Sequence, residues 1–337
     1  MPPLFTIAIP TYNRAALLAE ALQSALAQTF DDYEIVVRDN ASTDGTAELV
    51  RGHPSPRLRH YRNEENVGWH RNFDLLAQDA QGEYLVYLQD DDLLRPDFLA
   101  RAARALQGRP DVALYAAYLA GAPSQSPQCW DLKGLMWGPE LPSAWDQSGP
   151  RYWPGPLASV QCLVETGFFI PAVAMRTDLC RKHLPWDPAL GNAADRLLTG
   201  RVAAEGRAAV DPWVGGIMRF HPGQATHQYG DCTPYTILAA EKLLAFYEAR
   251  SIDWRALVRE WLANLSPERR WKWLGYVRAG AYPKALQETI ASALPELAVG
   301  ESDPLAHRRL AGQVKDFARA VTPPLLWRFA RRLAGAS

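Results

Sequence analysis

The sequence predicts an α/β fold, a mostly parallel sheet flanked by helices, with a helical C-terminal extension. Three observations predict it. Strand-like apolar runs and helix-period segments alternate four times between residues 4 and 107, the signature of a parallel sheet covered by its crossover helices. Polar residues follow three of those runs directly, at Thr11, Asp39 and Asp90 to Asp92, on the edge where open α/β sheets bind ligands. From about 233 onward only helical periodicity remains.

"LFTIAIP" (4–10) reads as a buried strand, and "NRAALLAEALQSALAQ" (13–28) as a helix with Asn13 as its N-cap. "YEIVVRD" (33–39) is a second strand, followed by a turn and short helix at 42–53. A third strand is expected at 58–63, a helix at 69–80, a fourth strand at 83–89 and a helix at 97–107. "VALYAAYL" (112–119) continues the sheet. Residues 121–158, rich in Pro, Gly, Ser and Trp, read as a long functional loop or lid. A buried strand and turn are expected at 167–180 and a helix at 194–206. Helices near 235–249, 253–263, 267–279, 282–293 and 305–319 close the chain. This divides it into a catalytic domain at 1–230, with halves 1–110 and 111–230, and a helical region at 231–337.

A formal net charge of −1 over 337 residues offers no basic face for nucleic acid. The four cysteines show no paired spacing, which fits a reducing cytoplasm better than a zinc site or a disulfide framework. The N-terminus lacks a basic stretch before an apolar core, so no secretory leader is expected. No run of 18 apolar residues predicts a membrane span.

The most informative stretch is "YLVYLQDDDLLRPDF" (84–98), where a buried strand runs into three carboxylates. In a continuing strand Asp90 and Asp92 would stand roughly 7 Å apart and repel by about 2 kcal/mol at an effective dielectric near 20. A hard divalent cation turns that cost into binding energy. The plainer alternative makes Asp92 the cap of a helix at 93–106. Neither a GxGxxG after the first strand nor a GxxxxGK[ST] loop is present, which excludes the common dinucleotide and P-loop designs.

The blocks "TIAIPTYNRAALLAEALQSALAQTFDDYEIVVRDNASTDGT", "NEENVGWHRN" and "LVYLQDDDLLRPDF" resemble, in order and spacing over residues 4–106, the N-terminal half of family 2 inverting glycosyltransferases of GT-A fold. A weaker similarity to the acceptor side continues over 186–223. The resemblance implies transfer of a sugar from a UDP- or dTDP-sugar to an acceptor hydroxyl. Asp39 then matches the acceptor for the N3–H of the base, and Thr11 a contact to the nucleoside. Arg71 faces the diphosphate, Asp90 contacts the ribose or the metal's waters, and Asp91 binds Mn²⁺ or Mg²⁺. His221 is implied as a further ligand to the metal or diphosphate, with Arg219 beside it as a phosphate contact. Asp195 matches the general base, with Asp187 and Glu205 as fallbacks. Two departures stand out. Gln89 occupies a position where many relatives have Asp, which leaves the metal fewer protein oxygens, and Ala194 replaces the Glu before the base.

The resemblance further implies a saccharide or lipid-linked saccharide acceptor, and polysaccharide or glycolipid assembly at the cytoplasmic face of the membrane. The segment "PPLLWRFARRLAG" (323–335) is basic and apolar on one helical face. It reads as a helix packed on its own domain, with peripheral contact to an anionic membrane as the alternative. The rival functions are a non-catalytic sugar-nucleotide-binding scaffold and, ranked lower because "PTYNR" is not a triphosphate-gripping loop, a sugar-1-phosphate nucleotidyltransferase.

Overall fold

The structure, a computed structural model, describes residues 2–123, 136–137, 149–164, 168–221, 223–224, 233–265, 270 and 282–294. The chain forms two compact units, one of residues 1–189 with 194–220, the other of 190–193 with 221–337.

The first unit opens with β1 (Phe5–Thr11), α1 (Ala15–Leu26), β2 (Tyr33–Asp39), α2 (Thr46–Arg51), β3 (Leu58–Arg62), α3 (Trp69–Asp79) and β4 (Tyr84–Tyr87). The short β5 (Asp92–Leu94) precedes α4 (Phe98–Leu106) and the long β6 (Val112–Pro123). After β7 (Met136–Trp137) and β8 (Arg151–Trp153) come α5 (Gly155–Ser159), α6 (Gln161–Val164), β9 (Val173–Arg176) and α7 (Thr177–Lys182). α8 (Ala194–Ala204) and β10 (Arg207–Phe220) complete the unit.

The strands lie in the order β3-β2-β1-β4-β9-β6-β10-β5. The β3-β2-β1-β4 half is parallel, as expected. β9 enters antiparallel to both β4 and β6, and β5 pairs antiparallel to β10. β1 is buried at every position and β4 likewise, because helices cover both faces and leave no reason for polar alternation. α1 turns Leu18, Ala21, Leu22 and Ala25 inward, and α4 turns Phe98, Leu99, Ala102, Ala105 and Leu106, the spacing of one helical face. Gly82 sits where β1 and the entry to β4 meet. A Cβ there would stand 2.5 Å from main-chain atoms of Phe5 and Thr6, so only glycine fits.

Four local expectations are corrected. Asn13 is not the cap of α1. It takes a left-handed backbone (φ 52°), and Arg14 holds the cap position. The Asn13 side chain instead accepts the Thr43 N–H at 2.7 Å. The fourth strand does not run on through the acidic residues, since it ends at Tyr87, and the Asp92 N–H returns to the Gln89 carbonyl at 3.0 Å in a tight turn. Asp92 opens β5 rather than capping a helix, and Asp97 holds the cap position of α4. Residues 207–220, unassigned from sequence, form the fourteen-residue β10.

The second unit contains α9 (Thr233–Glu248), α10 (Trp254–Asn264) and α11 (Lys284–Ala293). The Asp253 carboxylate caps α10 by accepting the Ala256 N–H at 3.0 Å. Trp254, Val258, Trp261 and Leu262 bury one face of that helix. The helices expected at 267–279 and 305–319, the 323–335 segment and most of the 121–158 stretch fall wholly or largely outside the described residues. Among the described residues no helix is long and apolar enough to cross a membrane.

Candidate active site

The parallel half of the sheet brings the candidate residues to one edge. Thr11 ends β1 and Asp39 ends β2, and the two are register partners. The Asn40 N–H donates to the Thr11 carbonyl at 2.9 Å and carries the pairing one step further. Asp39 is fully buried. Its Oδ1 accepts the Ser42 N–H at 2.8 Å, and its Oδ2 accepts Arg62 Nε at 3.1 Å. Each carboxylate oxygen has a second lone pair, so Asp39 keeps capacity for one more donor.

An asparagine cluster sets the loop between β3 and α3. Asn40 Oδ1 accepts from Asn63 Nδ2 at 2.9 Å and from the Val67 N–H at 3.0 Å. Asn40 Nδ2 donates to Asn66 at 2.8 Å, and Asn63 Nδ2 to Asn72 at 2.9 Å. Asn72 Nδ2 in turn donates to the Arg38 carbonyl at 3.1 Å. The loop then turns through Gly68 at φ 80°, a conformation that favours glycine, into α3. This fixes the start of α3 against the end of β2. Arg71, in the first turn, has a half-exposed side chain 4.0 Å from Asp74.

The acidic turn lies past β4. Asp90, Asp91 and Asp92 are all buried. Arg14 Nη1 donates to Asp90 Oδ1 at 3.1 Å and to Asp91 Oδ2 at 2.7 Å. Burial first, and the Asp91 carboxylate second, push Asp90 up to about 6, against the opposing pull of Arg14. The same two causes push Asp92 well above the usual carboxylate range. Its Oδ1 accepts the Arg219 backbone N–H at 3.1 Å. The Thr11 hydroxyl also stands beside Asp90 and favours its ionised form.

Arg219 points into the protein. Its side chain is fully buried. Nε donates to the Asp91 carbonyl, Nη2 to the carbonyls of Asp90 (3.2 Å) and Leu17 (3.1 Å), and Nη1 to Glu20 at 2.6 Å. Arg219 clamps the acidic turn to α1, and its donors are spent on main-chain carbonyls and on Glu20. Sequence reading missed the clamp and missed Arg14 as the partner of the acids. The one available signal for Arg14 was its place just past the end of β1, on the ligand-binding edge.

Asp195 stands in the first turn of α8, partly buried. The Arg196 N–H donates to Oδ1 at 2.8 Å, which favours the ionised form. Burial outweighs that help and lifts the carboxyl to about 6. Of the fallbacks, Glu205 pairs with Lys182 at 2.8 Å and His183 at 3.0 Å. Asp187 accepts the Ala189 N–H at 2.9 Å as a local cap. His221 begins the second unit, directly after β10.

Among the described residues no three His, Cys, Asp or Glu side chains converge as a cage for an ion. The turn offers instead a carboxylate pair that already faces one positive group. That donor set suits a hard cation that takes its other ligands from phosphate and water.

Residues 6–127 match the family described as Glycosyl transferase family 2. The succinoglycan biosynthesis protein ExoO of Rhizobium meliloti is 27% identical over 315 residues, which cover 92% of this chain and 84% of that protein. The abequosyltransferase RfbV of Salmonella typhimurium is 39% identical over 116 residues, 33% of this chain and 35% of that protein. Among solved structures, S. aureus TarS 1–349 in complex with UDP-GlcNAc superposes with a TM-score of 0.59 at 18% identity, covering 93% of this chain and 89% of that one. The mannosyltransferase PcManGT of Pyrobaculum calidifontis, in complex with GDP-Man and Mn²⁺, gives 0.53 at 21%, covering 98% and 85%. The structural matches carry the fold, and the sequence matches carry a resemblance: this chain is a glycosyltransferase of GT-A type fold that resembles family 2 over residues 6–127.

Proposed function

We propose that the protein is an inverting, divalent-cation-dependent transferase that moves a sugar from a UDP- or dTDP-sugar to an acceptor hydroxyl. The observation that carries this reading is the meeting, at one sheet edge, of Thr11 and Asp39 at the ends of β1 and β2 with the Asp90–Asp91 pair in the turn after β4. Asp39, an acceptor only when ionised, takes the N3–H of the base. Thr11 lies one strand away, against the nucleoside. Asp91 holds the cation with Asp90 beside it. A bound Mn²⁺ or Mg²⁺ ion neutralises charge on the departing diphosphate. Arg71, half exposed on α3, adds a positive group facing the same diphosphate.

Asp195 is the general base. It takes the proton from the acceptor hydroxyl as that oxygen bonds to the anomeric carbon. The bond to the diphosphate oxygen breaks on the opposite face and gives inversion. A carboxyl lifted to about 6 suits this work near neutrality, because it is ionised yet more basic than an ordinary aspartate.

Under this reading 1–110 is the nucleotide half, 111–230 the acceptor half and 231–337 a helical appendage. The acceptor is a saccharide or lipid-linked saccharide used in surface polysaccharide or glycolipid synthesis at the cytoplasmic face; the similarity to ExoO, a succinoglycan biosynthesis protein, supports the polysaccharide part of this reading. The test is nucleotide release from a panel of sugar nucleotides with and without Mn²⁺, in the parent protein and Asp195→Asn. Metal-dependent turnover that collapses in the variant, while UDP or dTDP binding persists, supports the proposal. Nucleotide binding without turnover on any acceptor supports a scaffold instead.

A further inference from the structure

Among the described residues two arginines reach the acidic turn, and they are bound differently. Arg219 is fully buried and holds the turn by its main-chain carbonyls. Arg14 Nη1 contacts carboxylate side chains of the turn, and its own side chain is 24% exposed. The loop that carries Arg14 is tied down by its neighbours. The Asn13 N–H donates to Ser42 Oγ at 2.9 Å and the Ala15 N–H to Asp44 at 3.1 Å. The backbone is therefore anchored while the guanidinium extends across the edge to the acids. Two buried carboxylates beside a third need a positive partner even when no ligand is bound, and Arg14 supplies it. The oxygens that it occupies, Asp90 Oδ1 and Asp91 Oδ2, belong to the pair assigned above to the divalent cation.

We propose that Arg14 is an exchangeable counter-cation of the acidic turn: it neutralises Asp90 and Asp91 in the nucleotide-free protein and leaves them when the divalent cation arrives with the diphosphate. This rests on the reading of Asp91 as the cation ligand. A group that occupies a site in most molecules lowers the apparent affinity of a competitor by the fraction of molecules left free. Arg14 thus makes the turn a poor site for metal alone. It makes the turn a good site once the diphosphate adds its own oxygens and offers the displaced guanidinium a new anionic partner.

The test is titration of the full chain with MnCl₂, read by calorimetry and by the electron paramagnetic resonance signal of free Mn²⁺. Parent, Arg14→Gln and Arg14→Lys proteins are compared, each with and without UDP. The expected result is Mn²⁺ binding by Arg14→Gln, without UDP, at least tenfold tighter than by the parent. Arg14→Lys, which keeps the charge, stays within about threefold of the parent. Adding UDP tightens Mn²⁺ binding strongly in the parent and much less in Arg14→Gln. Equal or weaker binding of Mn²⁺ alone by Arg14→Gln overturns the inference, and so does an Arg14→Gln protein that no longer folds, which would make Arg14 a structural strut. Asp91→Asn separates this from the underlying reading. If it keeps full Mn²⁺–UDP binding, or if the parent binds no Mn²⁺ even with UDP, the assignment of Asp91 falls, and this inference falls with it. If Asp91→Asn abolishes that binding and Arg14→Gln gains nothing, only this inference falls.

Discussion

Replacing Arg219 with Met asks whether the acidic turn is held from inside the protein. Methionine keeps part of the apolar stem and donates nothing. Glu20, whose side chain is 43% exposed, returns to water at small cost. The carbonyls of Asp90 and Asp91 lie in buried residues and cannot do so. Each acceptor left unpaired costs about 1–3 kcal/mol. Because both depend on one guanidinium, the losses do not simply add. The expected total is about 3–5 kcal/mol, the range for removing one side of a buried charged contact. At roughly 2–4 °C per kcal/mol for domains of this size class, the melting transition of the first unit falls by about 6–20 °C. Differential scanning calorimetry without nucleotide reads this directly. An arginine kept for phosphate would behave in the opposite way, since its loss leaves the free protein stable and weakens the ligand. A variant that melts within about 2 °C of the parent but binds UDP tenfold more weakly would refute the clamp.

Asp195→Asn is expected to lower turnover by about 10²–10⁴-fold, the usual worth of a general base, with UDP affinity measured by calorimetry unchanged. In the parent, kcat/KM should rise with pH through about 6 as Asp195 ionises. The same raised carboxyl binds its proton more tightly when folded, so its contribution to stability declines as pH climbs from about 4 to about 6, and melting curves of Asp195→Asn should lack that part of the slope. Asp39→Asn presents a donor where the base needs an acceptor and is expected to weaken UDP binding by about 10–100-fold, equivalent to roughly 1.4–3 kcal/mol; unchanged affinity in a titration would remove Asp39 from the nucleoside site. Gly82→Ala forces a Cβ to within 2.5 Å of the Phe5 and Thr6 main chain, and chemical denaturation should show a loss of about 1–3 kcal/mol.

The parallel half of the sheet was legible because each strand is a continuous apolar run and each helix keeps one buried face. β2 matches its expected bounds, β1 is shifted by one residue at each end, and β3 ends one residue early. β10 was not legible, and its sequence "RAAVDPWVGGIMRF" shows why. Asp211-Pro212 and Gly215-Gly216 interrupt strand propensity, and the pairing with β6 shifts register between Val210 and Val214 and again between Val214 and Gly216. Tertiary pairing overrides the local signal there. The residues at the ends of the first strands could be named from position alone. Their partners could not. Arg14 lies 76 and 77 residues from the acids that it touches, and Arg219 lies 128 from the Asp91 carbonyl. No local pattern encodes contacts at those separations.

Arg219 has a consequence for the order in which the protein matures on the ribosome. The residues that bear the family pattern end at 127, yet the side chain that braces the acidic turn belongs to the strand that closes the first unit. A nascent chain that has released only its first half therefore carries all three acids without their brace. That brace arrives only when β10 takes its place between β6 and β5, after the early strands have been made.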